Sequence, residues 1–207
     1  MPTVAITSTA PTSDLALLSS LDTGTNYTNA VDGLSIVAQS AGGEIGQSKV
    51  STIYTCWENF LKFDTSVLPP NISITDIKLK IDVFTLNKSG SDFIIQARTG
   101  SPSDPLVPGD WRDSSATPGD TLLAAFDTTG ISTGILTLTS EAAFIPAINV
   151  NGDTELYLIS DRQVAATAPT GLENVIITYH ARGLGTLPSL EITYSKNNHM
   201  MNLGAIA

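Results

Sequence analysis

The stretch WENFLKFDTSVLPPNISITDIKLKIDVF, from Trp57 to Phe84, constrains the fold more than any other. Ile77, Leu79, Ile81 and Val83 alternate with Lys78, Lys80, Asp82 and Phe84. A period of two puts the first set on a core face and most of the second toward solvent, which is a half-buried strand. Ahead of it, Pro69 and Pro70 cannot donate to a ladder. Asp64 is placed to cap a turn with its side-chain oxygen, and Asn71 suits a turn. The segment reads as strand, corner, strand. The corner carries no reactive group, so it is architecture.

Strand patterns recur along the chain. DFIIQARTG repeats the alternation with Phe93, Ile95 and Ala97. TELYLISD and ENVIITYHA are more continuously apolar, as expected where both faces are partly covered. SLEITYS closes the series, and GLSIVAQS, CWENFLKFD, TLLAAFD and GILTLT are further candidates. That makes about nine short strands with turn signals between them, a sandwich or barrel pattern rather than alternating strands and helices. Only SEAAFIPAI (140–148) suits a helix, and Pro146 holds it to a turn or two. VPGDW and TPGDT carry Pro-Gly, which fits a type II turn. The expected organisation is an N-terminal arm or peripheral strands over 1–30, one β-domain over 31–195 and a tail over 196–207.

Composition narrows the function. Charged residues are 14% of the chain, against roughly 25% in an average domain, and serine and threonine take their place. Twenty acids oppose ten bases, for a net charge of −10. The bases form no cluster, so neither a phosphate backbone nor an anionic membrane is an expected partner. No apolar run approaches the roughly 20 residues of a membrane helix. The N-terminus has no basic residue before its short apolar stretch, so no secretion signal is expected. Cys56 is the only cysteine, which precludes an intrachain disulfide and reads as a small buried hydrophobe.

Motifs for catalysis are scarce. The two histidines, His180 and His199, lack the partners of a zinc site. There is no G-x-S-x-G turn, P-loop or Rossmann glycine pattern. Glu58, Asp64, Asp110, Asp113, Glu155 and Glu173 are candidates for a glycosidase pair, but their spacing selects none. Asp110, Asp113 and Asp120 fall in one loop region and are the candidate calcium ligands, with turn capping the competing role. Trp111 and Tyr27 are the candidate sugar-stacking rings, although a loop tryptophan also serves to plug the end of a core. The tail residues His199, Met200, Met201, Leu203 and Ile206 are candidates for docking on a neighbouring subunit.

The chain resembles one known family. Phe63, Asp64, Ser66, Leu68, Pro69, Ile74, Leu79 and Ile81, with Pro188, Leu190, Ile192 and Tyr194 near the end, resemble the opening and closing signatures of DNRLRE-like β-sandwich modules. Asp76 and Ile77 stand where that family has a small residue. The resemblance covers roughly residues 50–195. It implies an all-β, antiparallel jelly-roll sandwich of about nine strands with extended N- and C-terminal arms. Such modules are similar to carbohydrate-binding and adhesive domains, and to structural proteins of tailed-phage particles. With no secretion signal and no attached enzyme, the expectation is a non-enzymatic virion protein, made in the host cytoplasm and displayed on the particle as head decoration or as a tail or fibre component. Its expected partners are further copies of itself, other virion proteins and host surface polysaccharide. The alternatives are a carbohydrate-binding module or adhesin, and an unrecognised glycan hydrolase.

Overall fold

The computed structural model describes residues 1–9, 17–23, 26–39, 43–113, 119–178 and 185–197. Among these lie twelve strands: β1 (Thr3–Thr7), β2 (Leu17–Asp22), β3 (Ile36–Gln39), β4 (Glu44–Val50), β5 (Ile53–Asp64), β6 (Ile72–Lys88), β7 (Ile94–Thr99), β8 (Leu122–Asp127), β9 (Gly134–Ser140), β10 (Asp153–Ser160), β11 (Leu172–Ile177) and β12 (Ser189–Lys196). Three short helices accompany them: α1 (Tyr27–Val31), α2 (Phe144–Ala147) and α3 (Asp161–Val164). None is long and apolar enough to cross a membrane.

The jelly-roll sandwich expected from the sequence is overturned. The strands pair antiparallel in the order β6–β11–β4–β5–β10–β7–β8–β9, and β9 returns to β6. This closes an eight-stranded barrel with four further strands attached. The cause is the length of β6. Its first half, Ile72–Lys80, pairs with β12, its middle, Leu79–Val83, with β9, and its end, Val83–Lys88, with β11. One 17-residue strand thus joins what a sandwich would keep as separate sheets. The expected extended N-terminal arm is also replaced by paired strands. β1 pairs with β12, and β2 bridges β5 and β3.

All nine strands read from the sequence are present. The three missed ones are β1 and β2, in the Thr/Ser-rich N-terminal stretch, and β4, whose Gly46, Gln47 and Ser48 break the apolar pattern while being buried. Gly46 is the one residue that fits its place. Its φ is +120° and its Cα lies against the Glu173 carbonyl, where any Cβ would collide. The corner behaves as read. Asp64 Oδ1 accepts from Ser66 N at 3.1 Å, and Asn71 takes a positive φ of 59°. VPGDW departs from expectation: Pro108–Asp110 is a 3₁₀ turn, and Gly109 is not among the residues with positive φ.

Two cores result. The larger fills the barrel, and each of its eight strands contributes, among them Ile45, Phe63, Leu79, Ile95, Leu123, Leu138, Leu158 and Val175. The interior is packed side chain, not a channel. A second core lies against β5 and β10 and holds Leu18, Tyr27, Val31, Tyr54, Cys56, Phe60, Leu106, Trp111, Tyr157 and Ile159. This explains the continuous apolar run in β10. Leu156 and Leu158 serve the barrel core, and Tyr157 and Ile159 serve the second.

Candidate functional site

The second core is where the chain concentrates its polar chemistry. β5 supplies Glu58, which is fully buried. Its Oε2 accepts from the Arg112 backbone N at 3.0 Å and its Oε1 from Gln163 Nε2 of α3 at 3.2 Å. The Arg112 guanidinium turns elsewhere. It forms a bidentate pair with Asp120, Nε to Oδ2 at 2.8 Å and Nη2 to Oδ1 at 2.7 Å. Tyr157 OH donates to the same Asp120 Oδ2 at 2.7 Å. The planar fork matches a carboxylate, so Arg112 and Asp120 fasten one loop region onto β10.

A second buried acid, bonded to the neighbouring residue of α3, organises a further network. Glu173 Oε1 accepts from Ser91 N at 3.0 Å, Thr170 N at 2.9 Å and Thr170 Oγ1 at 3.1 Å. Its Oε2 accepts from Gln47 Nε2 at 3.0 Å and pairs with Arg162 Nε at 2.8 Å. Gln47 also donates to Thr167 O and accepts from the Tyr27 hydroxyl. The chain from Tyr27 through Gln47 to Glu173 therefore connects α1, β4, β11 and the segments around residues 91 and 170.

The two acids titrate in opposite senses. Burial pushes Glu58 well above the ordinary glutamate range. The Arg112 backbone donor and charge oppose this, while Asp120 and Asp113 add to it. Burial also pushes Glu173 up, but the donors from Thr170, Gln47 and Ser91, with Arg162, outweigh it and leave the group below its ordinary value. Burial raises the Cys56 thiol, and Cys56 is free and fully buried, as an inert core residue is.

Glu58 makes the fold pH-sensitive. Because its folded value lies above its unfolded one, the stability it brings is complete below the unfolded glutamate range. That stability is lost as pH rises through the folded value. Glu58→Gln keeps the acceptor for Arg112 N. Its amide finds an acceptor in Gln163 Oε1, a buried atom with no partner at present. The expected result is a melting midpoint equal to the parent's near pH ~4 and several degrees above it near pH ~8. A constant gap at both pH values would assign the buried proton elsewhere.

Beside this network an open cleft of about 540 Å³ is lined by Thr99, Gly100, Arg112, Asp120, Asp153 and Glu155, among others. Burial, partly offset by Lys62, raises Glu155. Asp153 pairs with Lys62 at 2.9 Å. Of the acids in this cleft, Asp120 has both oxygens bonded to Arg112.

The residues singled out from sequence fall as follows. Tyr27 and Trp111 are only 5% and 7% exposed, and both belong to the second core. Neither offers a ring face for stacking a sugar. Trp111 Nε1 donates to Val31 O at 2.8 Å, so the ring plugs the second core against α1. Asp110 caps its own turn, accepting from Ser103 N, Ser103 Oγ and Val107 N. Asp120 serves Arg112 and Tyr157, and Asp113 contributes charge near Glu58. The three candidate calcium ligands are thus turned to separate tasks. Among the described residues no three His, Cys, Asp or Glu side chains are grouped to hold a metal ion. His180 and the tail residues His199, Met200, Met201, Leu203 and Ile206 lie outside the described residues.

Sequence reasoning missed Gln47, Arg112, Arg162 and Gln163. The available signal was Glu58 itself, a lone acid in the apolar strand CWENFLKF, and the polar triplet Gly46-Gln47-Ser48 in β4. No known protein-family model matches the chain, and no curated protein matches it.

Proposed function

We propose that the chain is a non-enzymatic structural protein of a particle exterior, of the tailed-phage kind, acting as a rigid displayed barrel. The observation that carries this reading is the use made of the buried acids. Glu58 and Glu173, with Arg112, Arg162 and Tyr157, tie four segments to the barrel wall. Buried groups bonded to several segments serve to hold loops in one shape, and a shell component needs a fixed shape. The acidic balance of 20 to 10 agrees, since like-charged particles stay apart. In this reading the chain is made in the host cytoplasm, assembles with copies of itself and other virion proteins, and needs no cofactor. Antibody raised against the chain and carried on gold is expected to label the outside of intact particles in electron micrographs of the source culture. Label confined to the soluble lysate would overturn the proposal.

The polar cleft at Arg112, Asp120 and Glu155 favours a second reading, a surface that grips host glycans. That reading expects the parent to be retarded in gels containing surface polysaccharide, and Glu155→Ala to run freely. Equal mobility of the two proteins would sink it.

A further inference from the structure

The turn between α2 and β10 carries Asn151-Gly152, the one Asn-Gly pair in the chain. Such a pair is open to ring closure, because glycine puts no side chain in the path of its own nitrogen toward the preceding carboxamide. Asn151 is exposed, and among the described residues its side chain forms no bond. The carboxamide is therefore free to turn toward the Gly152 nitrogen, and water reaches it.

The main chain of the turn is tied down instead. Gly152 N donates to Asn149 O at 3.2 Å and Asn151 N to Asn149 Oδ1 at 3.2 Å. Asn149 Nδ2 donates to Asp153 O at 3.3 Å. Against this turn sits Thr65, fully buried, the first residue after β5. Its Oγ1 lies 2.8 Å from Asn149 O and 2.8 Å from Gly152 O. It also lies 2.7 Å from Thr154 Oγ1, which accepts from Asn149 N at 3.0 Å. The single hydroxyl proton serves either carbonyl, so Thr65 grips both ends of the stretch that ring closure must bend.

Ring closure needs what this arrangement withholds. Gly152 N must leave Asn149 O, lose its proton to hydroxide from solvent and approach Asn151 Cγ. The N–Cγ bond then forms, the Cγ–Nδ2 bond breaks and ammonia leaves, giving a succinimide. Water opens the ring at Cγ to give aspartate, or at the Asn151 main-chain carbonyl to give isoaspartate. Nothing is oxidised or reduced, and water is the only co-reactant.

We propose that Asn151 is a self-modifying site, deamidating through the Gly152 nitrogen at a rate that the grip of Thr65 on the turn sets. This goes beyond the particle reading and stands on a separate observation. The place of the product gives it consequence. Asn151 lines an open cleft of about 560 Å³ with Ser66, Leu68, Pro70, Asn71 and Val150, none of them charged. Either product puts a carboxylate on that wall. Isoaspartate also lengthens the main chain by an atom, which draws the Gly152 carbonyl off Thr65.

Peptide mapping by mass spectrometry tests it, on the full chain held for weeks at mildly alkaline pH. The folded parent is expected to convert Asn151 to aspartate and isoaspartate, at least ~10-fold more slowly than the same chain unfolded in guanidinium. Thr65→Val keeps the shape and removes the hydroxyl, so conversion should quicken about three- to tenfold. Thr65→Ser keeps the hydroxyl and should keep the parent's rate. Amide hydrogen exchange reads the same latch in the parent alone, which covers the case where Thr65→Val misfolds. There the Gly152 N–H should be protected at least ~10-fold. Asn151 still intact in the folded parent when the unfolded sample has converted overturns the proposal. So does conversion at equal rates in the two, a folded Thr65→Val protein no faster than the parent, or an unprotected Gly152 N–H. Gold labelling of particles is decided independently of each of these results.

Discussion

Glu173→Ala is expected to cost about 3–5 kcal/mol of folding stability, read from urea or guanidinium unfolding. Three things fail together. Arg162 keeps a charge in a site where its side chain is 19% exposed and loses the carboxylate 2.8 Å away. Ser91 N and Thr170 N lose their acceptor. Gln47 Nε2 keeps only Thr167 O, which slackens its grip on Tyr27. Stranded buried donors cost more than the bonds they formed contribute. Glu173→Gln separates shape from charge. It retains an acceptor for the backbone donors but not the ion pair, so its loss should fall between the parent and the alanine variant. The pH profile gives a further check. The folded value of Glu173 is depressed, so the stability it supplies is present above the unfolded glutamate range and drains as pH falls through the folded value. The alanine variant should therefore lose the acid limb that this group contributes to the parent. A loss under ~1 kcal/mol would show that water replaces the carboxylate and that the clamp is ornamental.

These clamps were hard to see in the sequence for a definite reason. Alternation reports which face a residue occupies, so Ile77, Leu79, Ile81 and Val83 were legible as core and are 2%, 0%, 1% and 1% exposed. It does not report which strand lies alongside. The pairing of Leu79–Val83 with β9 closes the barrel, and it depends on contacts with Gly134–Leu138, some 55 residues away along the chain. The corner at Asp64 to Asn71 is legible as a turn, because local turn chemistry is written locally. The family pattern rests on that same corner and on the closing Pro188 to Tyr194 run. Both are compatible with a barrel as well as with a sandwich, so neither could select between them.

The site was misread where one residue type serves two purposes. Asp110 suits a turn and also a calcium site from its residue type alone, with the turn favoured, and its three donors from Ser103 and Val107 place it in the turn. Tyr27 lies in the N-terminal stretch that has few strand signals, yet its hydroxyl reaches Gln47 and its ring packs edge-on to Tyr54 at 5.5 Å. The second core is not legible as one unit, because it gathers a few residues each from elements far apart in sequence: β2, α1, β5, a loop and β10. Polar β4 was passed over for the same cause. Its buried Gln47 is satisfied by partners distant in sequence, such as Glu173.

Trp111→Ala is the second large effect, an expected loss of about 3–5 kcal/mol. The side chain is 7% exposed and packs in the second core, and Gly33 lies so close that a Cβ there would stand 2.8 Å from the Trp111 ring. Truncation opens a cavity between α1 and the 106–112 loop and leaves the Val31 carbonyl without its indole donor. Arg112 follows directly in the chain, so its backbone bond to Glu58 loosens with the loop. The variant should therefore also show a weaker pH dependence than the parent. Trp111→Phe refills most of the volume but cannot bond Val31, so its loss should be nearer ~1–2 kcal/mol. Thermal and denaturant unfolding of the two variants measure both steps. A Trp111→Ala protein that kept the parent's stability and lost only its retention on polysaccharide would return this ring to the role of a sugar platform. The bond to Val31 and the burial argue for the opposite result, in which the loop's shape fails before any binding can be measured.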